Sequence, residues 1–122
     1  MAQVLIIDSP NIQIGNKLMM GNTDLLYWSS SLGKLESGVQ MFSGCNKMHT
    51  FIATDLSKLE NGSMMFENCS SLLNFTENLS SLVDGSKMFD GCNSLTVFNA
   101  DLDSLTNGDN MFTNCKLNTE SL

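Results

Sequence analysis

Residues 78–100 read NLSSLVDGSKMFDGCNSLTVFNA. The pair Met88-Phe89 inside this stretch recurs as Met41-Phe42, Met65-Phe66 and Met111-Phe112, at spacings of 24, 23 and 23 residues. Registering the chain on that pair gives full units at 31–54, 55–77 and 78–100 and a truncated unit at 101–122. The units follow x-L-x-x-L-x-x-G-x-x-M-F-x-[GN]-C-x-x-L-x-x-F, with Met48 for the last Leu in the first full unit and the truncated unit keeping the pattern as far as Cys115. Residues 8–30 enter the same frame with degenerate chemistry. Ile12, Gly15, Leu18, Met19, Gly21, Asn22, Leu25 and Trp28 stand where Leu35, Gly38, Met41, Phe42, Gly44, Cys45, Met48 and Phe51 stand one unit later. Residues 1–122 therefore read as one domain of five coils, with 1–30 as a leader and capping coil.

Each column of the frame has a physical reading. Position 8 is glycine in every unit (Gly15, Gly38, Gly62, Gly85, Gly108), which predicts a turn needing positive φ. The Met, Phe and Cys columns that follow lie at i, i+1 and i+4, a spacing that predicts one face of a helix one to two turns long. Position 14 is Gly21, Gly44, Asn68, Gly91 or Asn114, the residue types that a left-handed closing residue requires. Trp28, Phe51, Phe75 and Phe98 then lie in a short extended segment with alternating neighbours, which predicts a strand. Each inward column contributes roughly 1.5–3 kcal/mol when fully buried, while ordering one residue costs about 1.5 kcal/mol. One coil cannot fold alone, and stacking shares the faces. The expected fold is an α/β repeat: a short right-handed solenoid of about five coils, each a short helix plus a parallel-sheet strand.

At these residues the sequence resembles the BspA-type leucine-rich repeats, whose units carry the same G-x-x-[MA]-F-x-[GN]-C-x-x-L core. The resemblance covers residues 8 to about 117. It implies a bacterial surface or phage-associated protein, adhesion being one role within the family.

Composition narrows the function. The chain has 122 residues, 42% apolar and 16% charged, with a net charge of −7. That apolar content is incompatible with a disordered chain. All six basic residues are lysines. Without arginine the chain lacks the side chain that best forks onto phosphate or a base edge, which argues against direct nucleic-acid binding. The N-terminal apolar run Val4–Ile7 is too short for a signal core or a membrane span, so the expected location is the cytoplasm of a bacterial host, or a surface or virion where a leader has been removed.

Cys45, Cys69, Cys92 and Cys115 share one column. No C-x-x-C pair exists to suggest zinc, and stacked side chains pointing the same way disfavour disulfides, so a buried, reduced ladder is expected. His49 stands four residues after Cys45 but at the entry to the strand, without a third group to orient it. The chain has no G-x-S-x-G, H-E-x-x-H or P-loop motif. The expectation is a protein without catalytic residues, cofactor or metal.

Surface remains. One outward strand column reads Tyr27, Thr50, Asn74, Val97 and Glu120, and the other Ser29, Ile52, Thr76 and Asn99, without a lysine. Such a face suits protein contact. Glu36, Asp55, Glu60, Glu67, Asp84, Asp90, Asp101, Asp103 and Asp109 form an acidic set in the turns, suited to a basic partner. Two readings follow. One is a small intracellular inhibitor, of the kind phages or mobile elements encode against host defences, that occupies the basic cleft of a host protein such as a nucleic-acid-binding enzyme. The other is an adhesin or phage-tail segment that binds a surface ligand. The last unit departs from the frame at Lys116, so Leu105, Phe112, Leu117 and Leu122 are expected to form an isologous homodimer contact.

Overall fold

The computed structural model describes residues 3–6, 11–53 and 55–117. Five strands follow in chain order: β1 (Gln3–Ile6), β2 (Leu25–Ser29), β3 (Thr50–Ile52), β4 (Asn74–Phe75) and β5 (Val97–Phe98). All pairings are parallel, β1-β2-β3 in one sheet and β4-β5 in another. The register advances by one coil at each step, with Trp28 opposite Phe51 and Phe75 opposite Phe98. A second parallel ladder runs through position 7 as Ile14, Ser37, Asn61, Asp84 and Asn107, one bridge per junction. Equivalent residues therefore stack coil on coil.

The expected helix is absent from the described residues: the segment from position 8 to position 15 is a chain of turns. Local bonds run from i to i+3, as in Met41 N–H to Gly38 O and Cys45 N–H to Phe42 O, both 3.0 Å. The alternate amides point out of the coil. Gly38, Gln40, Phe42 and Gly44 donate to Asn61, Ser63, Met65 and Glu67 of the next coil at 2.8–3.1 Å, and the same four bonds recur at every junction. An α-helix would keep those amides for itself. Neighbouring coils offer them carbonyls, and the inward spacing of Met, Phe and Cys fits either conformation.

Position 14 is left-handed as its residue types require, from φ 60° at Asn68 to 80° at Gly44. The glycines of position 8 are a correction. None of Gly15, Gly38, Gly62, Gly85 and Gly108 has positive φ. Glycine stands there because the next coil approaches closely: a Cβ on Gly15 would lie 3.0 Å from Met41 Sδ, and one on Gly38 3.1 Å from Met65 Sδ. Positive φ falls two residues later, at Lys17, Gln40, Met64, Lys87 and Asn110, with φ 55–61°. These residue types share no turn signature, so the sequence does not disclose the position. Each is the left-handed third residue of a turn from position 8 to position 11, as in a type II turn.

The core follows the columns. Leu35, Met41, Phe42, Cys45, Met48 and their equivalents in the next two coils are fully buried. Phe42, Phe66, Phe89 and Phe112 form one stacked ladder, with centroids 5.4–5.7 Å apart. Phe51, Phe75 and Phe98 form a second at 5.8–5.9 Å. The two mesh edge to face at 4.9–5.5 Å, an arrangement favoured by the ring quadrupoles. In the first coil Trp28 takes the strand-side place, and its buried Nε1 has no hydrogen-bond partner among the described residues.

Candidate functional site

The strands hold two outward columns side by side. In β2 and β3, Tyr27 is paired with Thr50 and Ser29 with Ile52; in β4 and β5, Asn74 is paired with Val97. Tyr27, Ser29 and Thr50 are half-buried, and Asn74, Thr76 and Asn99 are exposed. Ile52 and Val97 are 43% and 51% exposed, on strands whose inward neighbours are the buried Phe51 and the half-buried Phe98. Glu120 and Leu122 lie outside the described residues.

The face is divided. No ladder joins β3 to β4. At that junction the Ala53 amide donates to the Glu77 carboxylate at 2.9 Å, where the equivalent amide of Ser30 donates to the Ile52 carbonyl. Burial raises the pKa of Glu77, against the lowering effect of the Ala53 amide. Sequence reasoning did not single out Glu77. The available signal was a carboxylate in a column otherwise filled by Ser30, Ala53 and Ala100.

The acidic set separates into groups with different employment. The Asp55 carboxylate accepts from the Ser57 hydroxyl at 2.6 Å and the Ser57 amide at 2.9 Å, contacts that lower its pKa. Asp84 accepts from the Ser86 amide and Asp101 from the Asp103 amide, at 3.0 and 2.9 Å. These are Asx turns, a local structural use of the carboxylate. Glu67 and Asp90 are half-buried at position 13. Glu36 and Glu60 are exposed and line an open groove of about 470 Å³ with Lys58, Ser81, Val83 and Ser104, crossing four coils. Asp103 and Asp109 are exposed on the last coil.

The four cysteines are thiols. Each donates to the backbone of the preceding coil: Cys45 to Met19 O and Cys69 to Phe42 O at 3.1 Å, Cys92 to Phe66 O and Cys115 to Phe89 O at 3.0 Å. Burial pushes the Cys45 and Cys115 thiols up to about 11, and the Cys69 and Cys92 thiols are also raised. A thiol held protonated in this way is a poor nucleophile. His49 is exposed, its Nδ1 2.8 Å from the Thr50 hydroxyl. Among the described residues no group of His, Cys, Asp and Glu could hold a metal ion, and no helix is long and apolar enough to cross a membrane. On the last coil, Leu105, Phe112 and Leu117 are half-buried.

No curated protein and no solved structure matches the chain. A family model, BspA type leucine rich repeat region, matches residues 5–121 in six copies, where the frame read from the residues has five coils behind a leader. The Met-Phe and Gly/Asn-Cys columns that build the coil-to-coil ladder thus have a family match spanning nearly all 122 residues: the chain belongs to the BspA-type leucine-rich repeats.

Proposed function

We propose that the chain is a non-catalytic protein-interaction module that engages its partner through the outward strand columns. The observation that carries this reading is the exposure of Ile52 and Val97 on strands anchored by a stacked aromatic ladder, Phe51, Phe75 and Phe98. A surface held in place in this way loses little conformational freedom on binding. The test is a partner captured from source cells and then measured as a purified pair. The double variant Ile52→Asp with Val97→Asp should weaken it by at least about tenfold, the effect of roughly 1.4 kcal/mol. Unchanged affinity would refute the strand face.

A second reading rests on Glu36 and Glu60 in the groove and on the net charge of −7. In it the module acts inside a bacterial cell as an inhibitor seated in the basic cleft of a host protein. Association would then slow steeply with salt and with Glu36→Lys and Glu60→Lys, because screening acts on steering. Binding through the strand face, including its adhesion form, is insensitive to both.

A further inference from the structure

Three columns border one another on the strand side. Next to the outward columns at positions 20 and 22, position 19 stacks Leu26, His49, Leu73 and Thr96. Their backbones are joined: the His49 amide donates to Leu26 O and the Thr96 amide to Leu73 O at 3.0 Å, and the Leu73 amide to His49 O at 3.4 Å. Leu73 is 49% exposed, and with Ile52 and Val97 it lays an exposed apolar side chain on each of three successive coils. The acidic residues lie elsewhere. None of those described falls in these three columns, and no lysine does. The face is also flat. Ring centroids step 5.4–5.7 Å per coil in the Phe42 ladder on the turn side and 5.8–5.9 Å in the Phe51 ladder on the strand side, so the stack does not curl around its strand side.

We infer that the partner seated on the strand face is a second copy of this chain, the two faces packed together as an isologous pair. The inference rests on the strand-face reading and adds the occupant. A face that does not curl cannot wrap a protruding partner. It fits another flat sheet, the two packing about 10 Å apart with side chains interdigitated. Charge then decides where two copies can meet. Each carries a net charge of −7, so they repel over the surfaces where that charge lies. The strand face is free of it, and there Ile52, Leu73 and Val97 of each copy are withdrawn from water against the same patch of the other. A basic partner would find no carboxylate in these columns to pair with. A two-fold contact on the last coil, the one expected from the sequence, instead brings Asp101, Asp103 and Asp109 of one copy toward those of the other.

Sedimentation equilibrium of the 122-residue chain over a concentration series tests the pair. The parent should pass from monomer to dimer and stop there. The dimer should tighten as salt rises, because screening weakens the repulsion between two acidic copies. Leu73→Asp should weaken it at least about tenfold while keeping the parent's circular dichroism. Val83→Asp adds the same charge at an apolar residue, 41% exposed, outside the strand columns, and should leave the dimer nearly as tight as the parent's. A parent that stays monomeric at every concentration and salt overturns the inference, whether or not the variants fold. That result leaves the strand face to a different protein, which the capture experiment with Ile52→Asp and Val97→Asp judges separately. A dimer that loosens with salt, or that Val83→Asp weakens as much as Leu73→Asp, also overturns it, since the copies then meet through other surfaces.

Discussion

The two sides of the coil hold the stack together to different degrees. On the turn side, four amides per coil bond to the next coil at all four junctions, at 2.7–3.1 Å. On the strand side, strands of two to five residues are laddered at some junctions and not between β3 and β4, where Glu77 replaces a backbone acceptor. The turn side also carries the most regular sequence, with Gly at position 8, Met-Phe at 11 and 12, and Gly or Asn at 14. Continuity of the stack rests on the turns. The strand side, relieved of that task, can vary its outward residues, and there the proposed binding face lies.

The largest expected effect comes from crowding the turn side. A Cβ on Gly85 meets Leu82 at 3.1 Å and Leu105 and Met111 at 3.3 Å. Gly85→Val should therefore cost about 1–3 kcal/mol in urea unfolding, the range for overpacking a filled core, and Gly85→Ala distinctly less. Equal losses for the two would restore a backbone cause at this position. Next is Gly44→Ala, where φ is 80° and the nearest backbone is 3.6 Å away. Here conformation and not crowding should cost about 1–2 kcal/mol. If Gly44→Ala melts with the parent, the left-handed closing residue is dispensable and the contrast between positions 8 and 14 fails.

On the strand side the same assay should register little. Ile52→Asp and Val97→Asp each change exposed positions and should stay within about 0.5 kcal/mol of the parent. A larger loss would mean that the strand columns support the stack as the turns do. The smallest effect belongs to Glu77→Gln. Burial raises the Glu77 pKa, so the folded chain holds this proton more tightly than the unfolded chain. Its contribution to stability is fully present below the unfolded pKa and is lost as pH rises through the folded one. Glutamine keeps the acceptor for the Ala53 amide and removes the charge. The variant should therefore gain a few tenths of a kcal/mol at neutral pH, a small gain because the carboxylate is only partly buried. The gain should vanish in mildly acidic buffer, as thermal melts at the two pH values would show.

How much was legible follows from how far each signal reaches. The core columns were plain because a residue buried in every coil must be apolar in every coil, so Met41, Phe42, Cys45 and Phe51 disclose themselves by recurrence. The outward columns followed from the alternation of a strand around Phe51 and Phe75. The acidic set was legible as a set but not by its employment. Whether a carboxylate closes a local turn, as at Asp55, or lines a groove, as at Glu60, depends on its conformation.

Sequence alone determined the repeat length, the core columns, the position of the strands and the left-handed residue at position 14, since each admits only a narrow set of residue types that recurs coil after coil. The tertiary structure decided the rest. Whether Gly38 to Gly44 coil into a helix or open into turns depends on acceptors in the next coil, 23 residues away, and local spacing carries no record of them. The left-handed conformation of Lys17, Gln40, Met64, Lys87 and Asn110 has the same origin. Its backbone cost is offset by the amide that it turns toward a neighbour, a gain that exists only once the coils have stacked.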